Sequence, residues 1–320
     1  MNFQKVKTVD SAKELLDVAI KRAKKREKEL ISSKKMKGID KKIHIEKEKI
    51  NLIKTSINTK LDSYVQSFPN LDSLSEFYTQ IIATIVDTDK LRKALSSVNW
   101  ASTKISELTA DFQRKIKRGI DENKFLFLKK AFYGRISSVV KRIDKHLIFL
   151  EEARKILKSL PDINSDLFTI CIAGFPNVVK STLLSKITTS KPKIQNYAFT
   201  TKGLNIGYII HRNRKLQVVD TPGTLARFDK MNNIEKQAYL SIKYEANIVI
   251  FIYDLTDTYP LENQEKLFEV ISEFDKPILI YFSKSDLISL EKIKEFVKNK
   301  KIKEFYIDAD KLIQAIINEV

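Results

Sequence analysis

Apolar residues recur at spacings of three and four along the first half of the chain, which is the pattern of one buried helix face. Five such stripes follow one another, the first of them after a capping-box pair, Ser11 and Glu14. The fifth starts near Asn123 and is predicted as one helix that ends at the latest at Pro161. Each stripe covers about three residues in seven, as bundle helices require. The sequence therefore predicts an N-terminal all-α helical bundle over residues 1–164.

The pattern changes after residue 166, where short β-branched runs alternate with helical stretches. Such alternation predicts a mostly parallel sheet with helices on both faces, here over residues 165–320. Ligands of these sheets bind at the carboxyl ends of the strands. The predicted strands are residues 167–173, 206–211, 216–220, 248–254, 278–283 and 305–308.

The first predicted strand runs directly into a phosphate-binding loop that opens a helix. In that setting, successive backbone N–H groups and the helix dipole cradle a pyrophosphate. Lys180 would reach the terminal phosphates, and the Ser181 hydroxyl would hold Mg²⁺. The predicted nucleotide-binding residues of this loop are Gly174, Asn177, Val178, Val179, Lys180, Ser181 and Thr182.

One position departs from the motif G-x-x-x-x-G-K-[ST], because Val179 stands where the motif has glycine. The amide at this position should lie against the β-phosphate. A branched side chain there either clashes or tilts the loop, and β-branched residues disfavour unusual backbone angles. Taken alone, the segment is also compatible with an ordinary strand–turn–helix.

Two further strand ends carry residues suited to the phosphates. Asp220 ends a strand and could bind the magnesium shell through water, and the Gly223 amide could meet a γ-phosphate. The segment Phe-Thr-Thr-Lys-Gly at 199–203 could add a threonine to that shell. We expect this loop to order only when a γ-phosphate is present.

The last two strand ends carry residues suited to the base. Ser283 and Lys284 precede Asp286, whose carboxylate could accept two hydrogen bonds from a guanine edge and so select guanine over adenine. Asp308 precedes Ala309, whose amide could donate to the guanine carbonyl oxygen. Five motifs in this order predict an α/β P-loop G domain that binds GTP or GDP.

These motifs resemble those of the nucleolar GTP-binding protein family, a branch of the Obg–HflX-like GTPases, in its short archaeal form. The resemblance implies a role in assembly of the large ribosomal subunit, with large-subunit rRNA and pre-ribosomal proteins as partners. It also implies Thr201 as the magnesium ligand from the loop at 199–203. Similar segments are residues 68–72, 77–78, 134–135, 160–163, 174–181, 197–207, 217–223 and 234–238, so that nearly the whole chain is covered.

The chain departs from the family pattern around the nucleotide. Ser283 replaces the usual asparagine, but its hydroxyl could still bond back to the phosphate loop, and Asp308 replaces the usual serine. No glutamine follows Gly223, so the predicted catalytic residues are only the switch contacts Thr201 and Gly223. Asn177 could bind a K⁺ ion or simply brace the loop. The resemblance thus implies a slow GTPase.

Charge separates the two halves of the chain. Residues 1–166 carry 36 Lys and Arg against 22 Asp and Glu, whereas the rest is close to neutral. This positive excess predicts a polyanionic partner. Nucleic acid is the leading candidate and an anionic membrane surface is the second, although a generally Lys-rich composition would give the same charge excess without such a partner. Few aromatic residues lie among the basic ones, so we expect little base stacking. The predicted RNA-binding residues are Lys21, Arg22, Lys24, Lys25, Arg114, Lys115, Lys117 and Arg118.

The single cysteine, Cys171, lies in an apolar run and is predicted as a buried thiol of a protein in a reducing compartment. No apolar run reaches the roughly 18–20 residues of a membrane helix. The first ten residues contain no hydrophobic signal core. We therefore expect a cytoplasmic protein without a membrane partner, monomeric when free.

Two functions remain open. In the first, the protein is a GTP-dependent switch whose helical half docks on rRNA. In the second, it is a nucleotide-poor scaffold for pre-ribosomal particles, an alternative that Val179 favours. A membrane-surface role is weaker, because no aromatic anchors stand beside the basic runs.

Overall fold

The structure, a computed structural model, describes residues 3–32, 38–116, 120–188, 193–194, 204–221, 223, 233–256 and 260–319. These residues form two compact units. The helical unit comprises Phe3–Asn70 and Val86–Lys158, and the sheet unit comprises Leu71–Ile85 and the described residues from Ser159 onward. The predicted sequence boundary between residues 164 and 165 remains a prediction, and in space residues 71–85 group with the sheet.

The helices follow the predicted stripes closely. In chain order they are α1 (Ala12–Ile31), α2 (Gly38–Ser67), α3 (Glu76–Ile85), α4 (Thr88–Lys115), α5 (Glu122–Arg142), α6 (Asp144–Lys158), α7 (Lys180–Ile187), α8 (Asn233–Leu240), α9 (Leu261–Ser272), α10 (Leu290–Asn299) and α11 (Ala309–Asn318). The strands are β1 (Thr169–Gly174), β2 (Lys193–Ile194), β3 (Asn205–His211), β4 (Arg214–Asp220), β5 (Ile248–Tyr253), β6 (Ile278–Phe282) and β7 (Phe305–Tyr306).

The helical unit packs α1, α2, α4, α5 and α6 through their apolar stripes. Helix α1 begins as predicted, with the Ser11 hydroxyl accepting from the Glu14 N–H (3.3 Å) and the Glu14 carboxylate accepting from the Ser11 N–H (2.8 Å). This exchange satisfies two amide groups that the first turn leaves without helical partners.

The fifth predicted helix is wrong in one respect, because it is interrupted at Ile143 and forms α5 and α6. Ile143 has φ −92° and ψ 2°, and its N–H donates to the carbonyls of Val140 and Lys141. Asp144 then opens α6, while its carboxylate accepts from the N–H of Ala12 at the start of α1 (2.9 Å). The chain gives no local signal for this break, since neither glycine nor proline occurs there.

The sheet unit contains seven strands in the order β2-β3-β4-β1-β5-β6-β7 within its described residues. Strands β4, β1, β5, β6 and β7 are parallel, whereas β2–β3 and β3–β4 are antiparallel. Arg212 and Asn213 join β3 to β4 with φ values of 44° and 67°, as a tight two-residue hairpin turn requires. The parallel strands therefore bring the ends of β1, β4, β5 and β6 to one edge, as predicted. The short strand β2 was not predicted.

Helix α3, predicted as a bundle helix, belongs instead to the sheet unit. Its Tyr78 is 1% exposed, and the phenol donates to the carbonyl of Pro161 (2.7 Å) and accepts from the N–H of Ile163 (2.9 Å). These bonds fix the segment that leads into β1. Cys171, in β1 itself, is buried as predicted.

Candidate functional site

The loop between β1 and α7 contains a closely packed glycine and two residues in the left-handed region. Gly174 is required where β1 ends, because a Cβ there would approach the carbonyl oxygen of Ile252 to 2.9 Å. Val178 is fully buried in the core beneath the loop, so only its backbone is open to a ligand. Asn177 has φ 61°, and Thr182 is exposed in the first turn of α7. The left-handed residue Asn177 thus lies within the segment where the motif predicts a pyrophosphate.

Val179 occupies the left-handed conformation that the motif glycine would adopt. Its φ is 67° and its ψ is 27°, and it caps α7 without a side-chain hydrogen bond. For a β-branched residue this backbone geometry is unfavourable by about 1–2 kcal/mol. The chain therefore adopts this left-handed geometry at residue 179 although the side chain there is branched.

Lys180 lies folded over the loop. Its side chain is largely buried, and Nζ donates to the carbonyl oxygens of Gly174 (3.0 Å) and Phe175 (2.8 Å). Both acceptors belong to the loop backbone, so the ammonium group is held against the loop. This arrangement is suited to the predicted contact with terminal phosphates.

Ser181 and Asp220 meet at the end of β4. The Ser181 hydroxyl donates to Oδ2 of Asp220 (2.6 Å), and the Asn205 side-chain amide donates to the same oxygen (3.0 Å). Asp220 is 6% exposed, and its Oδ1 has no hydrogen-bond partner in the described part of the chain. A buried carboxylate oxygen without a donor calls for a cation or water. Together with the serine hydroxyl it forms an oxygen donor set that suits Mg²⁺.

Gly223 approaches the same loop from the other side. A Cβ at this position would lie 2.3 Å from the backbone nitrogen of Pro176 and 2.6 Å from the carbonyl carbon of Phe175. Only glycine permits this approach, and the predicted contact of its amide with a γ-phosphate stays a prediction. Thr201, the other predicted switch contact, lies outside the described residues.

Residues 283–286, here called the guanine motif, are anchored to the end of β5 rather than to the phosphate loop. The Ser283 hydroxyl is buried and donates to the carbonyl oxygen of Tyr253 (3.2 Å), so the expected bond back to the phosphate loop is not formed. The Ser283 N–H donates to the same carbonyl (2.9 Å). Lys284, at φ 54°, places Nζ 2.7 Å from Oδ2 of Asp254, which sequence reasoning did not single out.

The two remaining base-side residues differ in their engagement. Asp286 is exposed, and its carboxylate forms no hydrogen bond or ion pair with any described residue, which leaves it open to a base. The Asp308 carboxylate instead caps α11 by accepting from the N–H groups of Asp310 (2.7 Å) and Lys311 (3.2 Å). Since serine and aspartate are both good N-caps, the exchange at this position preserves the helix start that carries Ala309.

Two family models match consecutive parts of the chain. The model of the NOG1 N-terminal helical domain matches residues 3–164, and that of the 50S ribosome-binding GTPase matches residues 169–284. The first alone covers half of the chain.

The chain belongs to the NOG1 family.

Relatives of the NOG1-family chain support this assignment over most of its length. An uncharacterised protein of Methanocaldococcus jannaschii is 35% identical over 91% of this chain and 83% of its own length. Nucleolar GTP-binding protein 1 of Arabidopsis thaliana is 31% identical over 92% of this chain but only 44% of its own length. The chain therefore spans less than half of that plant relative. Among solved structures, Era of Aquifex aeolicus bound to GDP and aluminium fluoride is 25% identical over 48% of this chain and 56% of its own, with a TM-score of 0.37.

The matches with the two family models confirm the resemblance seen in the sequence. They also confirm the predicted fold class, a helical region followed by a G domain. A GTPase domain implies that the sheet unit binds a guanine nucleotide. Among the described helices, none has both the length and the apolar character needed to cross a bilayer.

The basic residues of the NOG1-type helical unit fall into two groups. Lys21, Arg22, Lys24 and Lys25 are exposed on α1 and form no ion pair within the described residues. Arg114 and Lys115 instead share a carboxylate, since Asp111 lies 2.7 Å from Lys115 and 3.8 Å from Arg114. The hydrogen bond from Lys115 lowers the pKa of Asp111. The predicted partners Lys117 and Arg118 lie outside the described residues.

Sequence reasoning missed an aromatic residue beside basic ones. Trp100 is 41% exposed on α4, and the guanidinium carbon of Arg142, at the end of α5, lies 5.2 Å from its ring centre. The available signal was a tryptophan on the polar side of the α4 stripe, between the buried residues Val98 and Ala101. Its partner is 42 residues away in sequence, so only the fold brings the two together.

Proposed function

We propose that this NOG1-family chain is a GTP-dependent switch, a slow GTPase, that acts in assembly of the large ribosomal subunit. In this proposal the sheet unit binds GTP or GDP, and the helical unit docks on large-subunit rRNA. Pre-ribosomal proteins are further partners, and the cytoplasm is the expected compartment.

The observation that supports nucleotide binding is the hydrogen bond between Ser181 and Asp220 beside the β1–α7 loop. The serine hydroxyl and the undonated Oδ1 of Asp220 fit a magnesium ion, with Asp220 acting through water. Such an ion would neutralise charge on the β- and γ-phosphates. Lys180 supplies the second positive charge, and the loop amides supply the cradle.

Slow turnover follows from what surrounds the γ-phosphate position. Threonine rather than glutamine follows Gly223, so this position offers no side chain of the kind that orients attacking water. The remaining groups on the phosphate side would bind and position the nucleotide. Asn177 is exposed in the loop and is the residue proposed to hold a K⁺ ion.

The proposed role in assembly of the large ribosomal subunit has two kinds of support. One matched family is described as a 50S ribosome-binding GTPase, and the plant relative is a nucleolar protein by name. The helical unit also carries a set of unpaired basic side chains on α1, which suits a phosphate backbone.

A scaffold without nucleotide is the second candidate, and Val179 is the observation that favours it. Its strained backbone and branched side chain stand at the amide that should meet the β-phosphate. In this case the chain would bind pre-ribosomal particles in a manner indifferent to GTP.

Titration of the chain with a fluorescent GTP analogue, in Mg²⁺ or in EDTA, tests the nucleotide half, and sedimentation with purified large ribosomal subunits tests the other. We expect saturable binding that weakens at least about tenfold in EDTA, and sedimentation that depends on GTP. Sedimentation without any nucleotide binding would establish the scaffold. Absence of sedimentation in every nucleotide state would refute the ribosomal role.

A further inference from the structure

A groove of about 460 Å³ lies on the helical unit between the middle of α4 and the junction of α5 with α6. Trp100 forms one side of it and Arg142 the other, with Lys93, Ser96 and His146 around them. The volume lies in the range of about 300–1,000 Å³ that is usual for small-ligand sites. The groove is therefore large enough for a single nucleotide.

The indole of Trp100 is a preformed stacking platform. It is 41% exposed although its neighbours Val98 and Ala101 are fully buried, so it projects from the outer side of α4. The guanidinium of Arg142 lies 5.2 Å from the ring centre, a cation–π contact that holds the indole in place. A flat aromatic surface held in this way loses little freedom when a base stacks on it.

The charge around the platform is positive and uncompensated. Lys93 and Arg142 bring positive charge to the groove, and none of its described lining residues is a carboxylate. Neither Lys93 nor Arg142 forms an ion pair with any residue of the described ranges. The groove thus combines a π-surface with two cationic side chains that form no ion pair within the described residues.

We propose that this groove binds an unpaired RNA nucleotide, with its base stacked on Trp100 and its phosphate held by Arg142 and Lys93. The inference rests on the proposed docking of the helical unit on rRNA and names a point of contact within it. An acidic peptide would satisfy the cations but would leave the indole without a ring to cover it. A paired base cannot enter, because its faces are already stacked within a helix.

Trp100 is the single tryptophan of the chain, so its fluorescence reports directly on the groove. Titration with single-stranded octaadenylate should quench it in a saturable manner, and an RNA duplex of the same length should bind without quenching. By anisotropy, Trp100→Ala should bind octaadenylate about tenfold more weakly, because a stacked base is lost, and Trp100→Phe should retain most of the affinity. Arg142→Gln should lower the log–log salt slope by about 0.7.

Phe127→Ala is the matched control, because Phe127 is 71% exposed and lies about 22 Å along α5 from Arg142. It should leave octaadenylate binding unchanged. Equal losses in Phe127→Ala and Trp100→Ala, or no quenching by octaadenylate, would overturn the inference. Displacement of octaadenylate by an acidic peptide at equal concentration would overturn it as well.

Sedimentation with large ribosomal subunits separates this inference from the proposed function. If wild type and Trp100→Ala sediment equally, the groove is not a contact point and the ribosomal role stands. If octaadenylate quenches Trp100 but wild type does not sediment, the groove is an RNA site and the ribosomal role fails.

Discussion

The ammonium nitrogen of Lys284 lies 2.7 Å from Oδ2 of Asp254, a carboxylate whose side chain is only 1% exposed. The other oxygen, Oδ1, accepts from the N–H (2.9 Å) and the hydroxyl (2.6 Å) of Thr256. Burial acts to raise the pKa of Asp254, but the hydrogen bonds from Lys284 and Thr256 outweigh it and lower the pKa below its usual value. Asp254 therefore stays charged and fixes the lysine of the guanine motif.

Substituting Asp254→Asn should weaken guanine-nucleotide binding about five- to tenfold, because Lys284 loses the charge that orients it, an effect of about 1 kcal/mol. Titration of a fluorescent GTP analogue measures this. Asp275→Asn is the control, because it makes the same change of net charge at an exposed residue that precedes β6 and lies away from Lys284. Asp275 has a φ of 53°, a left-handed conformation that asparagine also tolerates. A decrease of the same size in the control would mean that net charge, not the position of Lys284, is responsible.

Asp286→Asn should shift the base preference from guanine toward xanthine. The exposed carboxylate is placed to accept from the two donors of a guanine edge, and an amide can no longer do so for both. We expect GTP affinity to fall about tenfold to a hundredfold, since hydrogen bonds to charged groups contribute about 1.5–3 kcal/mol. Competition by GTP, xanthosine triphosphate and ATP measures the preference. ATP competing as well as GTP with the wild-type chain would contradict the assignment.

Val179→Gly should tighten nucleotide binding at least about tenfold, or ~1.4 kcal/mol. Val179 has the left-handed backbone that phosphate binding requires, so we expect the loop to keep the same backbone strain when the nucleotide is bound. The gain in affinity must then come from removing the side chain in front of the β-phosphate. Val179→Ala, which removes only the two methyl groups, should have an intermediate dissociation constant for the nucleotide. Equal dissociation constants for the wild type and both variants would show that the loop accommodates valine.

The strands and their motifs follow from local sequence, whereas the contacts between motifs do not. Residues 248–253 form a strand because they are apolar and partly β-branched, and a reader of the sequence can place Asp254 at its end. That Asp254 holds Lys284, 30 residues later, depends on β5 and β6 being neighbours. The same applies to Ser283, whose hydroxyl bonds to Tyr253 and not to the expected loop.

The helical unit shows the same limit from another direction. Periodicity located the helical stretches of this unit but joined α5 and α6 into one helix. The break at Ile143 has no local signal and depends on Asp144 bonding to the start of α1. Charge counting identified the basic clusters but not that Asp111 neutralises part of one. Composition likewise missed Trp100, since one aromatic residue becomes a site only when another helix places a cation beside it.

Glu245→Gln should stabilise the protein at neutral and alkaline pH. Burial raises the pKa of Glu245, against the opposing hydrogen bonds from Ser165 (2.8 Å) and Ser75 (3.4 Å). A carboxyl group with a raised pKa favours folding while protonated, and this contribution is lost as pH rises from the unfolded value through the folded one. We expect Tm to rise by roughly 1–4 °C at pH 8 and not at pH 4. Exposed Glu273→Gln should show no such pH dependence.

RNA binding by the basic face of α1 should fall steeply with salt. Each phosphate that a lysine neutralises releases counterions, with a log–log slope of about −0.9 per contact on duplex DNA and −0.7 on single strands. Replacing Lys21, Lys24 and Lys25 together by glutamine should therefore flatten the slope for ribosomal RNA by roughly two to three.

The matched control replaces Lys298, Lys301 and Lys303 by glutamine. These three lysines are exposed on the sheet unit, and their replacement changes the net charge equally. It should leave the slope unchanged, because the rest of the chain beyond residue 166 is nearly neutral. Arg114→Gln with Lys115→Gln should have a smaller effect per residue, since Asp111 already offsets part of that charge. Equal flattening by the sheet-unit control, or a salt-independent wild type, would mean that α1 carries only a solvated face and that the RNA contacts lie elsewhere.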